Sequence, residues 1–242
     1  MPSNSPSRPE SAPPAEGKRP TLGRLLLYPL RGNGIFLLIG YSLLVFLFQL
    51  GVSLHLGFLS PVIAVLGGGY ACAYFYRIAA TAARGRDSLP MQPDFTDWED
   101  VGGPLLRMLA ILVGLYGPGL IYRWVTGRND GRYWALLLAG DFFVPLAVLS
   151  VAVRESLLSI NPFSLIRAFL RMPADYARFA LGYLALRHAV ERGYLHLPGI
   201  ISAFATAFVE IGLLYLAIVY WYALGVLYRR SAARLAWFPR AG

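Results

Sequence analysis

Two carboxylates stand inside long apolar runs of this chain: Asp141 between Tyr133 and Val153, and Glu210 between Gly199 and Tyr228. A carboxylate carried into hydrocarbon costs about 2.5–3.5 kcal/mol on insertion scales unless it is protonated, hydrated or paired. Were the two to share one interior site, repulsion and desolvation would hold a proton between them, which suits proton coupling or cation binding. Set apart, each would be protonated or would pair with a base such as Arg77, Arg123, Arg187 or His188 and so link helices. Polar groups inside membranes often serve that linking role, and we favour it.

Four more acids, Asp94, Asp97, Glu99 and Asp100, surround Trp98. Such density could offer oxygen ligands to a divalent cation, but it lacks EF-hand spacing and a supporting histidine. The plainer reading has Thr96 capping a helix, the acids facing its positive end, and Trp98 anchored among lipid headgroups. His55, His188 and His196 are scattered without zinc-ligand spacing. Cys72 is alone, so no intramolecular disulfide can form. No G-x-S-x-G, Walker A or Rossmann glycine pattern stands in a strand–helix setting. We therefore assign no catalytic residue, no metal ligand and no cofactor.

The elements that must hold these residues are membrane helices. Of 242 residues only 14% are charged and 57% are hydrophobic, whereas a soluble domain carries about 25% charged residues. So few polar groups cannot clothe a water-exposed surface. The net charge of +9 arises in the tails and between apolar runs, not on one face of a module. That placement points to anionic lipid headgroups and away from nucleic acid.

Residues 1–20 are a Pro/Ser-rich tail with little to bury, read as disordered; 21–230 form the membrane domain, and 231–242 a short basic tail. Ile35–Leu56 and Gly57–Ala80 make a helical hairpin, with Ser60-Pro61 opening the second helix and Gly67-Gly68-Gly69 permitting close helix approach. In Leu105–Val125 the uncharged centre is about 22 Å long, so Arg107 and Arg123 must reach opposite interfaces. Gly117-Pro118-Gly119 predicts a kink or break there. Tyr133–Val153 and Gly199–Tyr228 span. Between them, Asn161-Pro162 starts a short amphipathic helix. Ser164, Arg167 and Arg171 share one stripe of it, and Phe163, Ile166, Phe169 and Leu170 lie opposite, as in a helix resting on the membrane surface with its arginines toward headgroups. Asp175–Leu197 is too polar to span alone.

Arginine placement sets the topology. Arg19, Arg24 and Arg31 precede the first run, no Lys or Arg separates the first two, and Arg77, Arg84, Arg86 and Arg107 follow the second. The positive-inside rule then puts the N-terminus in the cytoplasm. Arg154, Arg167 and Arg171 claim the same side, as do Arg229, Arg230, Arg234 and Arg240 in the C-terminal region. Both groups can be cytoplasmic only if Asp175–Leu197 also crosses, giving six crossings; five would put the C-terminus outside. Arg123, Arg128 and Arg132 oppose the pattern.

Three segments carry a resemblance: GGYACAYFYRIAATAARGRDSLP at the exit of the second span, PDFTDWEDVGG leading into the third, and NPFSLIRAFLRMPADY after the fourth. Together they resemble the prokaryotic membrane family named domain of unknown function 4013. The resemblance covers roughly Leu25 to Arg230 and implies a six-helix membrane protein, without a substrate or catalytic residues.

The expected fold is all-α, a polytopic transmembrane bundle of about six membrane helices plus one interfacial amphipathic helix, in the cytoplasmic (inner) membrane. Two functions fit: a non-enzymatic scaffold or accessory protein recruiting protein partners or lipid, and a small proton- or cation-coupled transporter or channel using Asp141 and Glu210. A membrane enzyme fits least, because no nucleophile–base pair can be assembled.

Overall fold

The computed structural model describes residues 22–32, 34–36, 38–43, 59–94, 97–154, 156, 160–196 and 203–235. The Pro/Ser tail, most of the first apolar run, Thr96 and the end of the basic tail lie outside them. Every described element is helical. A short α1 (Leu22–Leu26) and a 3-10 turn (Tyr28–Leu30) lead into α2 (Gly34–Leu43). Then follow α3 (Leu59–Ala83), α4 (Trp98–Thr126), α5 (Gly131–Arg154), α6 (Pro162–Arg171), α7 (Pro173–His196) and α8 (Ala203–Leu235).

Among the described residues, three helices are long and apolar enough to cross a bilayer: α4, α5, and α8 over Ile211–Ala232. The chain is an all-helical membrane protein. Residues Asp175 to His196 of the polar stretch lie in one unbroken helix of 24 residues, α7, but it is not among those three.

Helix α5 runs through the middle of the bundle, where Leu146, Ala147, Val148, Leu149 and Val151 are fully buried. α3 packs against α8, α4 and α5. The α3–α8 seam closes on small residues. A Cβ at Gly225 would stand 2.4 Å from the Ala79 carbonyl oxygen and 2.6 Å from the Ala82 Cβ, so only glycine lets these backbones approach so closely. Within the glycine run of α3, a Cβ on Gly69 would come within 2.7 Å of Val101 on α4, whereas one on Gly68 would meet nothing within 4 Å.

Three local expectations need correction. Of the kink or break expected at Gly117-Pro118-Gly119, the break is absent, since α4 is continuous from Trp98 to Thr126. Proline deletes one rung of the hydrogen-bond ladder, and neighbouring helices in a membrane support what remains. The cap of α4 is Asp97, whose side chain accepts a hydrogen bond from the Glu99 amide at 2.9 Å. In α6 the Asn161 cap stands as expected, accepting from the Phe163 amide at 3.0 Å, but the faces divide differently. Leu165, Ala168 and Met172 are the buried positions, while Phe163 (82% exposed), Ile166 and Leu170 point outward. At about 3.6 residues per turn the outward apolar arc lies beside Arg167, with the packed face on the far side. The helix rests on the bundle with one apolar face and presents a second.

One end of the bundle is tied together by long-range contacts. Tyr28 stacks on Tyr222 with ring centroids 3.8 Å apart, and its hydroxyl donates to the Ser88 carbonyl at 3.3 Å. The Tyr222 hydroxyl donates to Asp87 at 2.9 Å, and Arg229 sits 3.6 Å from the same carboxylate. Arg171 donates to the Leu235 carbonyl at 2.8 Å, capping the end of α8. The N-terminal segment, the exit of α3, the end of α6 and the end of α8 therefore meet at one pole. The α4–α5 loop, 127–130, lies at the other.

Candidate functional site

Asp141 is buried, with 8% of its surface exposed. The Tyr116 hydroxyl of α4 donates to its Oδ1. Backbone approach makes this pairing possible: a Cβ at position 140 would lie 3.1 Å from the Leu115 carbonyl oxygen and 3.1 Å from the Tyr116 ring. Gly140 thus lets α4 settle against α5 with the phenol beside the carboxylate. A donor held within hydrogen-bond reach offsets the cost of placing Asp141 inside the protein.

The sequence reading offered basic partners for Asp141, and the structure gives other work to two of them. Arg77 forms an ion pair with Asp100 at 2.6 Å and donates to the carbonyls of Met91 and Gln92 at 3.2 Å each. Arg123 lies over the Tyr133 ring, 5.8 Å from its centroid, as cations do on aromatic faces. His188 is exposed. The side chains of Glu210 and Arg187 lie outside the described residues, so a shared Asp141–Glu210 site is not placed.

The acids around Trp98 divide into separate tasks. Asp97 caps α4, Asp100 pairs with Arg77 and accepts from the Asp94 amide at 3.3 Å, and Trp98 is 60% exposed. Among the described residues, no group of three His, Cys, Asp or Glu side chains could hold a metal ion. Arg167 is exposed beside the outward arc of α6, whereas Arg171 is engaged at Leu235.

Comparison with protein-family models, curated proteins and solved structures finds no match.

Two open cavities occur near the tied pole. One of about 770 Å³ lies between the N-terminal turn and residues 87–92, with Arg31, Tyr74 and Asp87 in its wall. The other, of about 400 Å³, lies between α3, α4 and the end of α5; Tyr76, Arg77, Arg84, Arg107, Glu99 and Asp100 are among its lining residues. Arg107 lies here, beside the last turns of α3 and α5.

At the opposite pole Asp130 joins α4 to α5. Its Oδ2 accepts from the Tyr122 hydroxyl at 2.7 Å, and its Oδ1 accepts from the amides of Arg132 at 3.0 Å and Tyr133 at 3.2 Å. The Tyr122 hydroxyl, helped by those two amides, holds the Asp130 carboxyl below its ordinary value.

The sequence reading missed Tyr116, Tyr122, Asp87 and Asp130 as working residues. Asp130 carried a usable signal, since an aspartate directly before a helix is a favoured cap. The tyrosines carried none, because each counts as one more aromatic residue until its helix finds a neighbour.

Proposed function

We propose that this chain is a non-enzymatic scaffold or accessory protein of the cytoplasmic (inner) membrane. In this reading it crosses six times, with both termini in the cytoplasm, and presents a basic pole to anionic headgroups and to protein partners. The observation that carries it is the seating of α6. The helix is docked through Leu165, Ala168 and Met172, yet turns Phe163, Ile166 and Leu170 outward beside Arg167. An apolar arc flanked by an arginine is what a bilayer interface stabilises.

Two further features support the topology. Arg84, Arg86, Arg171, Arg229, Arg230 and Arg234 lie close to the tied pole in sequence or contact, as the positive-inside rule requires of a cytoplasmic face. Helix α7, at 24 residues, is about 36 Å long by helix geometry, enough to cross when neighbouring helices shield its polar groups. The resemblance to domain of unknown function 4013 belongs to the same proposal.

The decisive experiment compares ion flux in proteoliposomes holding the wild type, Asp141→Asn or Glu210→Gln. The scaffold reading expects the same proton and cation leak from all three. A flux that depends on either carboxylate replaces it with the transporter reading. A C-terminal reporter tests the six crossings, and activity of that reporter on the outer side contradicts them.

A further inference from the structure

We propose that the turn between α4 and α5 is a binding surface for anionic phospholipid headgroups, in the leaflet opposite the tied pole. This rests on the membrane reading; the scaffold reading assigns headgroups to the tied pole alone. Residues 122–134 hold three arginines, Arg123, Arg128 and Arg132, against one acid, Asp130. All three arginines are exposed. Arg123 lies over the Tyr133 ring. The Arg128 and Arg132 guanidinium groups make no ion pair or hydrogen bond among the described residues. The Asp130 carboxylate is occupied within the turn by the Tyr122 hydroxyl and two backbone amides. The surface is therefore basic, and its one acid is already engaged.

Side chains on both helices follow the order of a bilayer's layers. Trp124 is 86% exposed and Trp134 61%, each within one turn of the end of its helix. Exposed Ile121 stands three residues before Trp124, and exposed Leu138 four residues after Trp134, so each aliphatic shares a helical face with a tryptophan. Outward from the helix middles come aliphatic groups, then tryptophans, then arginines, matching acyl chains, interface and phosphates. A water-borne acidic partner would meet the arginines but leave the apolar side chains in water. The turn is also preformed. Gly127, at φ 66°, ends α4 in the left-handed conformation, and its amide donates to the Arg123 carbonyl at 2.8 Å, so binding has little left to order. With six crossings these arginines stand outside, where the positive-inside rule disfavours them. Phosphate oxygens, which accept charge-assisted hydrogen bonds from guanidinium groups, give them a task there.

The test uses full-length protein in phosphatidylcholine vesicles that contain a minor fraction of lipid with brominated acyl chains, which quench nearby tryptophans. The brominated lipid is either phosphatidylglycerol or phosphatidylcholine. The signal of this turn is the part of the fluorescence lost in Trp124→Phe/Trp134→Phe. Brominated phosphatidylglycerol should be preferred there by about fivefold, the scale of one arginine at an anionic surface. Arg128→Gln/Arg132→Gln should abolish the preference, whereas Arg230→Gln, an exposed arginine near the tied pole, should leave it intact. Both substituted side chains of the turn are exposed, so the thermal midpoint in detergent should stay at the wild-type value, which separates lost binding from lost folding. Equal quenching by the two lipids overturns the proposal and leaves the arginines to an acidic protein surface. A preference that survives Arg128→Gln/Arg132→Gln, or that Arg230→Gln removes equally, overturns it as well. Quenching by neither lipid would take the turn out of the bilayer interface and sink the membrane placement with it. A carboxylate-dependent flux in the earlier experiment would overturn the scaffold reading and leave this result standing.

Discussion

Helices α4 and α5 are joined by loop 127–130 and have similar mean hydropathy, 1.7 and 2.2, yet 11% of one apolar stretch is buried against 61% of the other. α4 turns Leu106, Leu109, Val113, Leu120 and Trp124 outward. Their spacing of three, four or seven residues marks one helical face. α5 instead sinks Leu146 and Leu149 completely and carries Asp141 and Ser150 in buried positions. Lipid tails are as apolar as leucine, so hydropathy selects both helices for the membrane without saying which one faces it. Buried polar groups make that distinction, because a carboxylate must stay inside the protein where a partner can reach it.

The largest expected effect exploits that difference. Leu149→Ala removes a fully buried side chain and should destabilise the protein by about 2–5 kcal/mol, through lost packing and a residual cavity. Leu109→Ala, at a position 47% exposed, should cost far less, since lipid fills the space that the side chain leaves. Unfolding in lipid–detergent micelles measures both. Equal losses would mean that α4 is as enclosed as α5.

Glycine positions sharpen the comparison one step down. A Cβ at Gly140 meets the Leu115 carbonyl oxygen and the Tyr116 ring at 3.1 Å, whereas one at Gly114 meets nothing within 4 Å. Gly140→Val should therefore cost about 1–3 kcal/mol by overpacking the seam, and Gly114→Val should be tolerated. Tyr116→Phe comes next, at about 1 kcal/mol, the scale of hydrogen bonds between membrane helices. Asp141→Asn should cost less, because an amide oxygen can still accept from the phenol. The double variant should cost less than the sum of the two, since one removes and the other weakens the same hydrogen bond. Strict additivity would show that Tyr116 and Asp141 do not act together.

These contrasts explain what the sequence could and could not reveal. Helix positions were legible because charge and proline punctuate them: Asn161-Pro162 opens α6, Arg154 closes α5, and the acids beside Trp98 start α4. The apolar character of α4, α5 and α8 was legible for the same reason. Partners were not. Asp141 was matched with bases because charge is visible in a sequence, while the Tyr116 pairing depends on the rotation of α4 against α5, which Gly140 sets only after the helices meet. The division of α6 into packed and outward apolar faces was hidden likewise, because both faces are apolar and only docking separates them.

The smallest effect is expected where the two helices join. Asp130 is outside the apolar stretches, accepts from Tyr122, Arg132 and Tyr133, and has its carboxyl held below the ordinary value of 3.8. A carboxylate lowered in the folded state adds stability above its unfolded value, and that stability fades as the pH falls through the lower, folded value. Asp130→Asn keeps a capping oxygen but has no proton to gain in this range. Wild type should therefore melt slightly above Asp130→Asn near neutral pH, with the gap closing as the pH drops below 3.8 toward the folded value. Thermal midpoints across that range test this directly. Because the carboxylate stands in water, the gap should be small beside that from Leu149→Ala. A gap that persists in strong acid would assign the stabilisation to the shape of the cap rather than to its charge.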